Sequence, residues 1–213
     1  MKDEFTREHS RLYAREEGPL RAAATSTFDA LRRSESIDAN AKPANGADYD
    51  AKDSFGQGLR QVAQLIRADV GLDAASVDLN GWDTHFTQQS GIEPLMLRLA
   101  NGLAAFRTDL GERMATTTVV VMTEFGRRVA ENASFGTDHG RGGVSFVMGG
   151  GVKGGRVLGG WAGLKNLDGP GDLPVTNNYR NILAPVLTRH GATADGLASI
   201  FPDFTLNPLG LYA

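Results

Sequence analysis

Between residues 55 and 112 the apolar positions fall at helical spacing twice, with a short extended run between. Leu59, Val62, Ala63, Leu65 and Ile66 predict a helix from Phe55 to near Gly71. Leu95, Leu99, Leu103, Phe106 and Leu110 predict a second, from Gly91 to about Glu112, with one buried face. Ala74 to Leu79 reads as a short strand between them. Thr117 to Thr123 is apolar and β-branched without alternation, which suits a strand buried on both faces of a parallel sheet. Val144 to Met148 adds a further strand. Helix then strand, repeated, predicts an α/β fold with helices on both faces of a mostly parallel sheet.

The flanks are less regular. Residues 3 to about 36 predict two helices, with Leu12, Leu20, Phe28 and Leu31 as an apolar stripe and Pro19 in the first turn of the second. Ser36 to Ser54 has almost no apolar residue and reads as a polar, mobile connection. Gly149 to Gly171 is glycine-rich and reads as turns. Thr176 caps a last helix running to about His190, and Phe201 to Ala213 is an apolar tail packed on the body. The expected organisation is one domain overall: a helical segment and linker over 1–54, then an α/β core over 55–213.

Composition narrows the picture. The chain has 213 residues, a net charge of −3, 41% hydrophobic and 22% charged residues. That is an ordinary globular composition without the basic excess of a nucleic-acid binder. No apolar run reaches membrane-spanning length, and the charged N-terminus is no export signal. The absence of cysteine removes disulfides and thiolate metal sites.

The chemistry gathers in loops after strands, where open α/β sheets place ligands. Asp83 and His85, one residue apart on an extended segment, face the same way. Glu124 ends the central strand. Asp138 and His139 lie between glycines, a setting poor for a core histidine. Carboxylates with imidazoles form a common mixed ligand set for Zn, Mn or Fe. Arg127, Arg128 and Arg141 lie in or beside the same loops, and arginine grips phosphate or sulfate oxygens. Each also reads as a plain ion-pair partner for Glu124, Glu131 or Asp138. Ser134, Thr84, Thr123 and Thr137 are the nearby hydroxyls, and none has the surroundings of an activated nucleophile.

Four motifs occur in order: Phe55-Gly-x-x-Leu59-Arg60-Gln61-Val-Ala-Gln-Leu-Ile66, Gly81-Trp82-Asp83-Thr84-His85, Glu124-Phe125-Gly126-Arg127-Arg128-Val-x-Glu-Asn132 and Gly136-Thr137-Asp138-His139-Gly140. Val152 to Gly155 and Tyr179-Arg180 accompany them. Over residues 55 to 202 the chain resembles the bacterial family called domain of unknown function 1501, of the alkaline phosphatase and sulfatase superfamily. The resemblance implies an alkaline phosphatase-like three-layer sandwich and a divalent metal (Zn, Mn, Mg or Ca). It implies Asp83, His85, Glu124, Asp138 and His139 as metal-site residues, Asp138 as ligand or orienter, and Arg127 as a substrate clamp. Phe125 stands where an imidazole would be, which argues against a second metal. Asn178 stands where an Asp is expected.

Family members are usually longer, exported to the periplasm, and carry the nucleophile on an N-terminal strand. The resemblance therefore implies a C-terminal half with an incomplete sandwich. The expected function is metal-dependent hydrolysis of phosphate or sulfate esters, lost if that strand is required. The alternative is a non-catalytic domain binding a partner protein or an anionic glycan. A third reading is a fragment that self-associates or pairs with its missing half.

Overall fold

The computed structural model describes residues 2–212 apart from Ser36, Ala39 and Pro208, with the backbone alone over residues 2–5. The first residue of the predicted polar connection and the last of the predicted tail lie outside the described residues. The chain forms two compact units. One runs to Leu79 and includes Arg98–Gly111; the other comprises Asn80–Leu97 and the chain from Glu112.

The first unit opens with α1 (Lys2–Tyr13) and α2 (Pro19–Glu35), a helical pair in which the Tyr13 and Phe28 rings lie 6.2 Å apart. Pro19 does begin α2. The stripe does not reach a core, however: Leu12, Leu20 and Leu31 are exposed, and α2 buries no residue. Helix α3 (Ser54–Arg67) starts at Asp53, whose carboxylate accepts from the Phe55 and Gly56 N–H groups. Its apolar face buries Phe55, Leu59 and Ala63, as the spacing predicts. Expected to open the C-terminal core, α3 instead groups with the N-terminal helices.

Helix α4 (Gln88–Leu110) gives Gln88–Leu97 to the second unit and the remainder to the first. In the first unit Leu99, Phe106 and Leu110 are buried. A Cβ on Gly102 would come within 2.7 Å of the Phe55 ring, so α4 passes close to α3 because that position has no side chain. Ala74 to Leu79 forms no strand. Its backbone finds no ladder partner among the described residues, and Ala74 to Ser76 stay exposed.

The polar connection is tied to α4 at Ala44 and Tyr49. Asp109 on α4 is 1% exposed. It accepts hydrogen bonds from the Ala44 N–H at 2.6 Å and the Tyr49 hydroxyl at 3.1 Å, and forms an ion pair with Arg67. Burial and the neighbouring carboxylate push the Tyr49 hydroxyl far above its ordinary pKa, so it remains a neutral donor. Sequence alone hides this, because the partner lies on a helix some 60 residues away.

Asp53 links this unit to pH. Burial raises its pKa, but hydrogen bonds from the Arg98 guanidinium and two backbone N–H groups outweigh that and hold it below the usual carboxylate range. A carboxyl lowered in the folded state stabilises fully above its unfolded value near ~4 and loses that contribution as pH falls through the folded value. Asp53→Asn is therefore expected to flatten the acid limb of stability below about pH 4, read as melting temperature against pH. An acid limb unchanged from the wild type would count against it.

In the second unit, β1 (Thr118–Val121) pairs antiparallel with β4 (Phe146–Gly149) in the register Thr118↔Gly149 to Val121↔Phe146. The central strand was expected to be parallel and buried on both faces; all four of its residues are half-buried. A second pair, β2 (Gly126–Arg127) and β3 (His139–Gly140), is also antiparallel, with Arg127 opposite His139. The glycine-rich stretch is irregular, with isolated bridges Val152↔Tyr212 and Asp168↔Asp172.

Helix α5 spans Arg180–Arg189. It starts after Tyr179 rather than at Thr176, with Asn178 Oδ1 accepting the Arg180 N–H. A short α6 (Ala194–Ile200), capped by Thr193, was not predicted. The tail packs as expected: Leu211 is buried, and its carbonyl accepts the Lys153 N–H at 2.8 Å. Among the described residues, no helix is long and apolar enough to cross a membrane.

Candidate metal centre

The site is assembled in the second unit from two loops. In the first, Thr84 turns inward and is buried, its carbonyl accepting the Thr137 N–H at 3.2 Å. Its neighbours Asp83 and His85 therefore project to the same side, as their spacing predicts. In the second, the β2–β3 pair sets Phe125 to Arg127 beside His139. Gly126 and Gly140 allow that approach: a Cβ on Gly126 would lie 2.7 Å from the Gly142 carbonyl oxygen.

Asn132 fixes the second loop against the first. Its amide donates to the His85 carbonyl and to Asp138 Oδ1, both at 3.1 Å. Its own oxygen accepts the Ser134 and Gly136 N–H groups. Sequence reasoning assigned Asn132 no role. The available signal was an Asn followed closely by Ser and Gly, the makings of an Asx turn.

Three nitrogens converge on Asp83 Oδ1: Arg127 Nη2 at 2.6 Å and His139 Nε2 at 2.8 Å by hydrogen bonds, and His85 Nε2 at 3.1 Å as an ion-pair neighbour. The hydrogen bond from His139, with Arg127 adding to it against partial burial, lowers the Asp83 pKa. Among the described residues, Asp83, His85 and His139 form a group whose ligand atoms lie within 4.8 Å of one another. Ligand atoms around one ion at roughly 2.0–2.2 Å sit about 3 Å apart, so the Asp83 to imidazole distances fit a shared ion. Two imidazoles and a carboxylate are also a chemically suitable set.

Asp138 stands behind this group. Its Oδ1 is 3.5 Å from His85 Nδ1, the ring nitrogen opposite the one facing Asp83. The Asn132 hydrogen bond is the largest cause of its lowered pKa, with His85 and Arg128 contributing against partial burial. Of the two expected roles, this position suits the orienter. Glu124 is not brought into the group: it is exposed and has no hydrogen bond or ion pair among the described residues. Its neighbour Phe125 is turned in instead. The Phe125 ring stacks on His139 at 4.7 Å, and His139 stacks on His85 at 4.9 Å. Where an imidazole was expected, Phe125 thus supplies a wall for one.

Arg127 differs from the expected free clamp. Nη1 donates to the Thr137 carbonyl at 2.7 Å, Nη2 to the Trp82 carbonyl at 2.9 Å and to Asp83. It is a strut between the loops, lying 5.0 Å over the Phe125 ring. Arg128 is less committed, reaching Asp138 Oδ2 at 3.9 Å with its Nε unpartnered. Arg141 pairs with Asp168 at 3.5 Å.

A family model described as "protein of unknown function (DUF1501)" matches residues 2–197. The chain belongs to that family. The DUF1501 match includes every residue of the metal group and extends to α1 and α2, which the motif resemblance, beginning near residue 55, did not reach. No curated protein and no solved structure matches the chain.

Proposed function

We propose that this DUF1501 chain is a hydrolase of phosphate or sulfate esters working with one divalent ion. The observation that carries the reading is the convergence of His85 Nε2 and His139 Nε2 on Asp83 Oδ1 at the mouth of exposed loops. Asp83, His85 and His139 would hold the ion, and Asp138 would fix the His85 ring so that Nε2 faces it. A divalent ion in such a set supplies Lewis-acid polarisation of an ester oxygen and acidifies water. Arg127 brings fixed positive charge, and Arg128 is the guanidinium placed to grip ester oxygens. Thr84, Thr123 and Thr137 direct their hydroxyls to Trp82 O, Phe125 O and Gln88 Oε1, so water is the attacking group in this reading. The alkaline phosphatase-like sandwich belongs to the same proposal, with the half-buried β1–β4 pair as part of its larger sheet.

The same engagement of the hydroxyls favours a second reading, a domain that binds an anionic ester without cleaving it. Assays of aryl phosphate and aryl sulfate hydrolysis with added Zn or Mn separate the two. The hydrolase reading expects chelator-sensitive turnover lost in His139→Ala, with Asp138→Asn weakening metal affinity about 10–100-fold. Turnover that survives both chelator and His139→Ala would sink it. Metal binding without turnover would select the binding domain.

A further inference from the structure

We propose that Phe86 and Phe135 form an aromatic platform seating the pyranose ring of a sugar ester, whose anionic group lies at the Asp83, His85 and His139 site. This assignment rests on the ester-hydrolase reading. Both side chains are left in water, 71% and 70% exposed, and neither contributes to a core. Phe86 directly follows His85, and Phe135 precedes Asp138 by three positions. Their loops run side by side: the Thr87 N–H donates to Ser134 O at 3.0 Å and the Gln88 N–H to Phe135 O at 2.8 Å.

The backbone sets these rings apart from ordinary exposed residues. Five non-glycine residues among those described have positive φ: Asn45, Asp69, Thr87, Phe135 and Asp203. Asn and Asp tolerate that conformation, whereas a β-branched Thr and a bulky Phe do not. The two intolerant residues both lie here, Thr87 at +41° beside Phe86 and Phe135 at +59°. The conformation is held in place by Asn132, which accepts the Ser134 and Gly136 N–H groups, and by Ser90, whose hydroxyl donates to Thr87 O at 2.9 Å. Strain kept around aromatic rings left mostly in water points to a ligand contact.

The openness of the rings selects the ligand. A wholly apolar group laid on them would leave its outer face in water, forfeiting most of the hydrophobic gain. A pyranose offers a C–H face to an aromatic ring while its hydroxyls stay hydrated. The charge of the ester meets Arg128 and the metal group.

The test is calorimetric binding to the full chain supplied with zinc. The probes are sulfated and phosphorylated hexose oligosaccharides, the inorganic anions, and an aryl sulfate. Phe86→Ala and Phe135→Gly are combined; glycine suits the φ of +59°, so this second change is expected to raise the melting temperature rather than unfold the chain. The sugar esters are expected to bind the wild type at least tenfold more tightly than their inorganic anions. The double variant should lose that margin and keep its inorganic-anion affinity. The proposal is overturned if no sugar ester outbinds its inorganic anion, if the variant keeps the margin, or if only the aryl ester depends on the rings. Ring-dependent sugar-ester binding without bound zinc would overturn the metal reading and leave the platform standing. Bound zinc without ring dependence would do the reverse.

Discussion

Replacing Asp109 by alanine is expected to lower the stability of the first unit by about 3–5 kcal/mol, the usual cost of removing one partner from a buried ion pair. The carboxylate is 1% exposed and serves Ala44, Tyr49 and Arg67 together. Its loss removes the carboxylate paired with a guanidinium that is only 17% exposed, and takes away the acceptor of the buried Tyr49 hydroxyl. The effect should be visible locally as well. Exchange of the Ala44 amide should accelerate well beyond that of α3, because its hydrogen bond is to this carboxylate. Asp109→Asn, which retains an acceptor and the volume, is expected to cost less. A denaturation midpoint within error of wild type for Asp109→Ala would refute the clamp.

Gly136→Ala is the second large effect, and it acts on the site. An added Cβ would lie 2.1 Å from the His85 carbonyl carbon and 2.6 Å from the Phe86 nitrogen. Both are backbone atoms, so relief requires the two loops to part. Overpacking of this kind costs about 1–3 kcal/mol, and contact with backbone puts this case at the upper end. Parting the loops also moves His139 away from Asp83 and His85, so metal binding should fall with stability. Gly143→Ala, in the connection between β3 and β4, is the control. Its Cβ meets only Thr123 Cγ2 at an ordinary 3.8 Å, and a change within about 0.5 kcal/mol is expected. Equal effects from the two alanines, measured by urea denaturation and metal titration, would show that close loop contact does not build the site.

Periodicity made the helices readable and left the sheets obscure. Helix α3 carries its whole signal in its own sequence: a capping Asp53 and apolar residues on one face. The Thr117 to Thr123 run also announced an extended segment, but nothing local specifies which strand it pairs with or in which direction. Ala74 to Leu79 shows the limit most plainly. Its composition suits a strand, yet a strand exists only if another segment offers hydrogen bonds. Asp109 was invisible for a related reason: a carboxylate reads as a solvent-facing residue until a distant Arg and Tyr are known to surround it.

The site was legible in part. Asp83, His85 and His139 stood out because loop carboxylates and imidazoles between glycines have no role in a core. Glu124 and Phe125 were exchanged in importance. Sequence favours the ionisable residue, whereas the close β2–β3 approach turns the aromatic neighbour inward onto His139. Arg127 reads as a clamp by type and is a strut by geometry, since its terminal nitrogens bind two carbonyls and a carboxylate.

The decisive measurement is elemental analysis of the purified full chain beside an Asp83→Ala, His139→Ala double variant, both after incubation with zinc and manganese and removal of excess ion. About one tightly held divalent ion per wild-type chain, absent from the variant, is the expected result. Equal metal in the two proteins, or none in the wild type, would mean that Asp83, His85 and His139 meet only to hydrogen-bond one another.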